Sequence, residues 1–135
     1  MQLNAQRMMT NPIRCSGRAS DGRNSNSPFA IVYVEVAAAA DPASEFTIDY
    51  DEPECVDQAG AKYANEEEVG YFVSGAARGV KDAAEHYEAL GVSLRGLHAR
   101  IVKLVAHQVD STERAFWSAA KHATAACLVN VPRSR

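Results

Sequence analysis

The sequence contains few cysteines and no long apolar run. Its three cysteines, Cys15, Cys55 and Cys127, are far apart, and no two of them form a C-x-x-C pair. A disulfide framework or a zinc site is therefore not expected. A reducing, cytoplasmic location is the expectation. No apolar stretch approaches the ~20 residues that a membrane-spanning helix needs, so no membrane partner is expected.

The sequence motifs of several enzyme classes are also absent. There is no G-x-x-x-x-G-K-[ST] phosphate loop, no G-x-S-x-G nucleophile elbow and no H-E-x-x-H zinc motif. The four histidines (His86, His98, His107 and His122) lack metal-ligand spacing. We therefore predict a protein that is not a GTPase or another enzyme, has no catalytic residue and holds no metal or cofactor.

Charge is distributed unevenly along the chain. The net charge is -3, yet residues 1–28 carry +3, residues 41–68 carry -9 and residues 95–135 carry +5. A protein with this balance is not a general polyanion binder, so no DNA partner is predicted. Any nucleic-acid contact would be local, on the C-terminal third. The acidic segment 41–68 is interpreted as a solvated loop apart from residues 45–50. Its part over residues 51–68 is interpreted as a long exposed loop, with a helical stretch near residues 59–67 as the alternative.

The chain divides into a polar start and a domain. Residues 1–28 are rich in Asn, Ser and Arg without a sustained period, which predicts a disordered tail; a transit peptide and an overextended start are the alternatives. Residues 29–135 are long and apolar enough for one domain with its own core. Apolar patterning there predicts strands over 29–36, 45–50 and 94–105, with the second antiparallel to the first.

Two helices are predicted from apolar residues that recur every three or four positions. They cover residues 74–90 and about 111–126. Gly91 is expected to end the first helix. Asp110 is expected to cap the second helix, with Glu113 reaching back three residues later, as in a capping box.

A short last strand over residues 128–131 would complete the order β-β-α-β-α(-β). This order predicts a two-layer α+β domain with both helices on one face of the sheet. The pattern itself assigns neither the oligomeric state nor the handedness of the crossover between strands.

The stretch Ala106–Phe116, which reads AHQVDSTERAF, joins the third strand to the second helix. His107 lies between the two elements, at a tip where a side chain is presented to a partner rather than buried. A lone exposed histidine is more often without a function than with one. The position alone therefore assigns no role.

That stretch resembles the H-x-V-D-S-S-E-x-A-F segment in the fourth domain of elongation factor G, the bacterial translocase, and of elongation factor 2. Upstream, residues 70–80 (GYFVSGAARGV) resemble the family's G-E-Y-I-P-A-V-D-K-G-I. From Gly79 to His107 the two align without a gap. The resemblance covers residues 29–131, which is most of the chain.

The resemblance implies the split β-α-β fold of domain IV, with a left-handed crossover that breaks the usual right-handed rule. It also implies a tip that contacts messenger and transfer RNA in the ribosome, through His107 and Gln108. Positive charge near the tip would come from Lys103, Arg100 and Arg114. The expected partner is the ribosome or a structured RNA, and GTP hydrolysis would belong to a different domain.

Departures from the family leave other functions open. The family's first tip loop is rich in glycine, whereas residues 24–29 read NSNSPF here, and Ser74 replaces a family proline. One alternative is a protein-interaction domain that has lost RNA binding and acts through the acidic segment or an Ala-rich helix. Another, ranked last, is an enzyme that uses His107 as acid or base. A paralogue, a degraded copy and a fragment of a longer factor all fit the sequence.

Overall fold

The computed structural model describes residues 12–19, 29–129 and 131. These residues form a five-stranded sheet and two helices, which confirms a mixed α+β fold. In chain order the elements are β1 (Ile13–Arg18), β2 (Ile31–Ala38), β3 (Thr47–Asp49), β4 (Glu54–Val56), α1 (Glu66–Ala89), β5 (Leu97–Val105) and α2 (Glu113–Leu128).

The sheet has the order β1-β2-β5-β3, and β4 also pairs with β5, further along that strand. β1 and β2 are antiparallel, as are β2 and β5, whereas β3 and β4 run parallel to β5. The second predicted strand is thus antiparallel to the first in direction, but β5 lies between them. The helix α1 connects the parallel strands, since a parallel pair requires a crossover.

The strand predicted over residues 29–36 is confirmed as β2, and its side chains alternate between the two faces of the sheet. Val32, Val34 and Val36 are fully buried against the helices, and Tyr33 and Glu35 are half-buried on the opposite face. That opposite face carries the charged side chains of the sheet, among them Arg14, whose guanidinium lies 3.5 Å from the Glu35 carboxylate. The helices therefore cover one face and leave the other to solvent.

The prediction of a disordered tail over residues 1–28 is wrong for Ile13–Arg18, which forms the edge strand β1. Its apolar positions are weak: Cys15 and Gly17 face the helices while the intervening residues face solvent. Only glycine fits at position 17, because an added Cβ would lie 2.3 Å from the carbonyl oxygen of Ala119. Residues 1–11 and 20–28 lie outside the described residues.

The first helix begins at residue 66, not at residue 74. Asn65 is its N-cap, and its side chain accepts a hydrogen bond from the Glu68 N–H at 3.0 Å. The acidic side chains of the first turn interact favourably with the positive end of the helix dipole. The prediction of one long loop over residues 51–68 is therefore wrong, since they contain β4 and the start of α1, whereas β3 confirms the strand predicted over 45–50. Gly91 follows the helix with φ of +91°, which confirms the predicted end.

The second helix continues to Leu128, and the described residues 128, 129 and 131 do not form the predicted last strand. A turn follows instead, in which the Val131 N–H donates to the Leu128 carbonyl at 2.9 Å. The apolar face of α2 outweighs the short Leu-Val run, because Cys127 and Leu128 are fully buried in the core. Phe116 and Phe72 join the two helices, with ring centroids 4.7 Å apart.

Candidate functional site

The loop between β5 and α2 is held in shape by hydrogen bonds. The His107 N–H donates to Ser111 Oγ at 2.7 Å, and the Ser111 N–H donates to the His107 carbonyl at 3.1 Å. The Ser111 hydroxyl donates to the carbonyl of Phe29 at 2.6 Å, and the Phe29 N–H donates to the Asp110 carbonyl at 3.0 Å. The start of β2 and the histidine loop thus form one tip.

The helix cap predicted at Asp110 with Glu113 is wrong. Thr112 is the N-cap of α2, and its hydroxyl accepts from the Ala115 N–H at 3.0 Å. The physical reason is that Ser111 is occupied with Phe29 and the Asp110 carboxylate lies beside His107. The helix therefore begins at the next residue able to cap it.

The imidazole of His107 is fixed by the loop backbone. Its Nδ1 faces the N–H groups of Val109 and Asp110, at 3.2 and 3.3 Å. Because a backbone N–H can only donate, Nδ1 must accept, which places the ring proton on Nε2. The ring also lies against Phe29, with centroids 6.3 Å apart, and about a third of its side chain is exposed. An Nε2–H donor is thereby left for a partner.

The carboxylate of Asp110 is a second neighbour of the same nitrogen. Its Oδ2 lies 3.4 Å from His107 Nδ1, a contact that attracts only when the ring is protonated. The backbone bonds require a neutral ring, so the two descriptions exclude each other. We favour the neutral form, because two N–H groups converge on Nδ1 and an ion pair between half-exposed groups contributes little.

The apex of the tip is exposed. Gln108 is exposed, and Val109 has 80% of its surface accessible, the highest of the large apolar residues described as exposed. An apolar side chain at an apex has no packing role, so it is available for a contact outside the molecule. The predicted contact residues His107 and Gln108 are thus adjacent and both reachable.

The three predicted supporting charges do not gather at the tip. Arg100 and Lys103 lie on the open face of the sheet, where Arg100 pairs across strands with Glu35 and Lys103 Nζ lies 5.9 Å from the Tyr33 ring centroid. At ~3.3 Å per residue, Arg100 is roughly 23 Å along the strand from His107. Arg114, in the first turn of α2, remains as the nearby positive charge.

Sequence reasoning missed the residues that hold the tip together. Phe29 and Ser111 are 82 positions apart, so no local pattern announces their hydrogen bond. The sequence does contain one weak indication. Ser111 is one of four consecutive residues, Asp110 to Glu113, whose side chains can each accept a hydrogen bond from a helix N–H. A residue of this set that does not cap the helix can form a hydrogen bond elsewhere.

Buried titratable groups lie near the start of α1. The Tyr63 hydroxyl donates to Glu68 Oε1 at 2.6 Å, and burial, with that bond, raises the pKa of Tyr63 to about 12. Burial also raises the pKa of the Cys55 thiol to about 11 and raises the pKa of Cys127. Cys55 therefore does not supply a nucleophilic thiolate, because its thiol is buried.

The described residues contain neither a metal cluster nor a membrane span. No group of three or more His, Cys, Asp or Glu side chains among them is placed to hold a metal ion. Within the same part of the chain, neither helix is long and apolar enough to cross a membrane.

Comparison with known proteins gives a structural likeness alone. No protein-family model matches the chain, and no curated protein matches it. A crystal structure of a protein from Thermus thermophilus is similar, with a TM-score of 0.51 and 19% sequence identity. The match covers 85% of this chain and 15% of that one. The chain thus shares its mixed α+β fold with a small part of a much longer protein.

Proposed function

We propose that this chain is a non-GTPase, translation-factor-like module of the domain IV type, which contacts the ribosome or another structured RNA through the tip around His107. The fold proposed is that of elongation factor G domain IV, in which β3 and β4 pair directly with β5, so the parallel strands are not split by another strand. Its left-handed crossover would be the connection from β4 through α1 to β5. The proposal rests on the sequence resemblance together with the build of the tip.

The observation that carries the proposal is the fixed imidazole of His107. The loop backbone occupies Nδ1, and the described hydrogen bonds leave Nε2–H without a partner on a partly exposed ring, next to the exposed Gln108. Phosphate oxygens, ribose hydroxyls and base edges all accept such a bond. Because the ring is already held, little side-chain entropy is lost when it binds. A preorganised donor at an exposed apex is what a contact with RNA requires.

A second feature concerns the place of the family's first tip loop, beside the histidine. Phe29, just before β2, bonds to the histidine loop. In the elongation factors two loops form the tip together. The bonds of Phe29 place the start of β2 at the tip, and residues 20–28 lie outside the described residues.

The acids at the start of α1 bear on the alternative of an acidic docking surface. Glu66, Glu67 and Glu68 lie in the first turn of α1, where they favour the helix dipole and where Glu68 binds Tyr63. They therefore have a structural role, which weakens the case for an acidic docking surface. A contact replacing about one or two phosphate counterions predicts a slope of roughly -1 to -2 for log K against log salt.

The experiment compares two substitutions of His107 in ribosome co-sedimentation at low salt. His107→Asn keeps an acceptor near the Nδ1 position and loses the donor at the Nε2 position. His107→Gln keeps an N–H donor near the Nε2 position and loses the acceptor that the loop N–H groups bind. We expect His107→Asn to weaken binding about five- to tenfold, the value of one hydrogen bond, and His107→Gln to stay closer to the parent. His122→Ala is the matched control, because His122 is exposed on α2 away from the tip.

Two results would contradict the proposal. In the first, the parent chain fails to sediment with ribosomes at low salt. In the second, it sediments equally well with either His107 variant and with His122→Ala. A structured RNA hairpin measured in parallel separates an RNA contact from a contact with ribosomal protein.

A further inference from the structure

A long groove lies between α1 and β3, away from the tip. Two cavities, of about 710 and 370 Å³, open along it and share Ile48 and Lys81, so they form one continuous depression. The groove reaches from Gly70, near the start of α1, to Gly91, just after its end. At ~1.5 Å per residue this is roughly 30 Å, the length of a helix.

The groove exists because the two helices do not cover the whole sheet. The helix α2 packs over β1 and β2, whereas α1 makes only sparse contacts with β5 and with the edge strand β3. Phe46 and Ile48 are consequently only half-buried, and Tyr50 remains 51% exposed. On the α1 side, the small or apolar residues Val73 and Ala77 continue the floor. An apolar floor of this length is a surface that a third helix could cover.

The rim of α1 along the groove carries an ordered set of charges. Arg78, Lys81, Glu85 and Glu88 are all exposed, and they follow one another at i, i+3, i+7 and i+10 along one side of the helix. Two positive residues thus precede two negative ones. When two copies of this helix run in opposite directions, the positive residues of one copy face the negative residues of the other.

Opposite charges face each other when two α1 helices pair in antiparallel orientation. In an antiparallel pair of α1 helices centred at the level of Ala83, Lys81 of each copy faces Glu85 of the other. In the same register Arg78 faces Glu88. A two-fold axis makes each contact twice, as in any isologous dimer. Four opposite-charge contacts then border the apolar floor.

These charges are not used inside the molecule. In the described part of the chain the ion pairs are Arg14–Glu35 and His107–Asp110. Lys81 and Glu85 stand at the i,i+4 spacing that often pairs within a helix, yet in that same part of the chain no ion pair within 4.0 Å joins them. The charge order is therefore available to a partner.

We propose that a second copy of this chain covers the groove, with the two α1 helices packed antiparallel about a two-fold axis at the level of Ala83. The side chains on the shared floor would be those of α1 and β3, bordered by the four charge contacts. The tips around His107 would then point away from each other, at opposite ends of the dimer. Dimer formation does not depend on RNA binding, so the two proposals can fail separately.

The test is a charge swap followed by sedimentation equilibrium. Lys81→Glu alone sets two carboxylates against each other at the central contacts, and Glu85→Lys alone sets two ammonium groups against each other there. We expect each single variant to raise the dimer dissociation constant by about tenfold or more, because four contacts border one interface. An equimolar mixture of the two variants should form heterodimers, and the double swap Lys81→Glu with Glu85→Lys should dimerise like the parent.

Circular dichroism confirms that the variants fold, and both positions are exposed, so the melting temperature should change little. A parent chain that stays monomeric up to about 1 mM overturns the proposal, as does a dimer that ignores both single swaps. Failure of the mixture to associate also overturns it, because complementary charge is the reason for the antiparallel register. His107→Asn, measured alongside, should leave the dissociation constant unchanged.

Discussion

At the scale of single residues, Tyr63 makes stability depend on alkaline pH. It is 4% exposed and donates to Glu68, and its pKa is raised from 10.0 to about 12. The folded state thus holds the proton more tightly than the unfolded state. The stabilisation is complete below pH 10 and is lost as pH rises towards 12, at about 1.4 kcal/mol per pH unit. We expect a total loss of about 2–3 kcal/mol.

Urea unfolding at pH 8 and pH 11 measures this loss, with Tyr63→Phe as the comparison. Cys55, whose pKa is raised to about 11, also titrates in this range, so both chains should carry Cys55→Ala. Cys127, whose pKa is raised by burial, is present in both chains, so its contribution cancels in the comparison. The Tyr63→Phe chain should be about 1 kcal/mol less stable at pH 8, because the bond to Glu68 is gone, and should lose less on going to pH 11. Equal alkaline losses in the two chains would show that Tyr63 is not the titrating group.

A second residue-scale prediction concerns the start of α2. Thr112→Ala removes the acceptor of the Ala115 N–H and should cost about 1 kcal/mol. Asp110→Ala should change the free energy of unfolding by no more than about 0.5 kcal/mol, because its carboxylate is partly exposed and caps nothing. Urea unfolding at neutral pH ranks the two. The reverse ranking would make Asp110 the functional cap, as the sequence suggests.

At the scale of elements, the two helices approach closely at two glycines of α1. A Cβ at Gly75 would lie 2.2 Å from the Glu113 carbonyl oxygen, and one at Gly79 would lie 2.2 Å from that of Trp117. Backbone atoms cannot move aside cheaply, so Gly79→Ala should destabilise the protein by about 2 kcal/mol or more. Gly70→Ala is the control: its Cβ would meet nothing within 4 Å.

Gly70→Ala should stabilise dilute protein by about 0.5–1 kcal/mol, because alanine is the better helix former. Thermal and urea unfolding of both variants give the comparison. Two alanines of the same helix would then change stability in opposite directions, which helix propensity alone cannot produce. A stabilising Gly79→Ala would mean that α1 and α2 lie further apart than described.

Elements with a strong period were predictable and those that depend on distant pairing were not. The buried valines of β2 follow from strict alternation, and the position of His107 follows from the end of one strand and the start of a helix. β4 has three residues and forms by pairing with β5, about fifty positions later. No local pattern contains that partner. The early start of α1 did leave a signal, Asn65 followed by Glu68, but three adjacent acids suggested a loop.

At the scale of the whole molecule, the sheet is asymmetric in what protects its edges. β1 covers the edge of β2 and packs under α2, whereas β3 is short and stands among acids and prolines. Charges and prolines at an edge oppose uncontrolled strand pairing. The acidic segment thus protects one edge by composition, whereas on the other side β1 pairs with β2 and becomes the edge strand itself.

That difference predicts what happens when β1 is removed. A chain that begins at Phe29 exposes the edge of β2 and the buried surface of α2, so it should unfold at a lower urea concentration and aggregate. A disordered tail would leave both properties unchanged.

Because this truncation also removes residues outside the described part of the chain, Gly17→Ala in the full chain isolates the strand. Its Cβ would meet backbone atoms of α2 at 2.3 and 2.4 Å, so it should weaken the docking of β1 by about 2 kcal/mol or more. Arg14→Ala, on the exposed face of the same strand, should change stability by no more than about 0.5 kcal/mol. If the truncated chain and Gly17→Ala both match the parent in urea, β1 does not belong to the folded domain, and the edge of β2 must tolerate solvent.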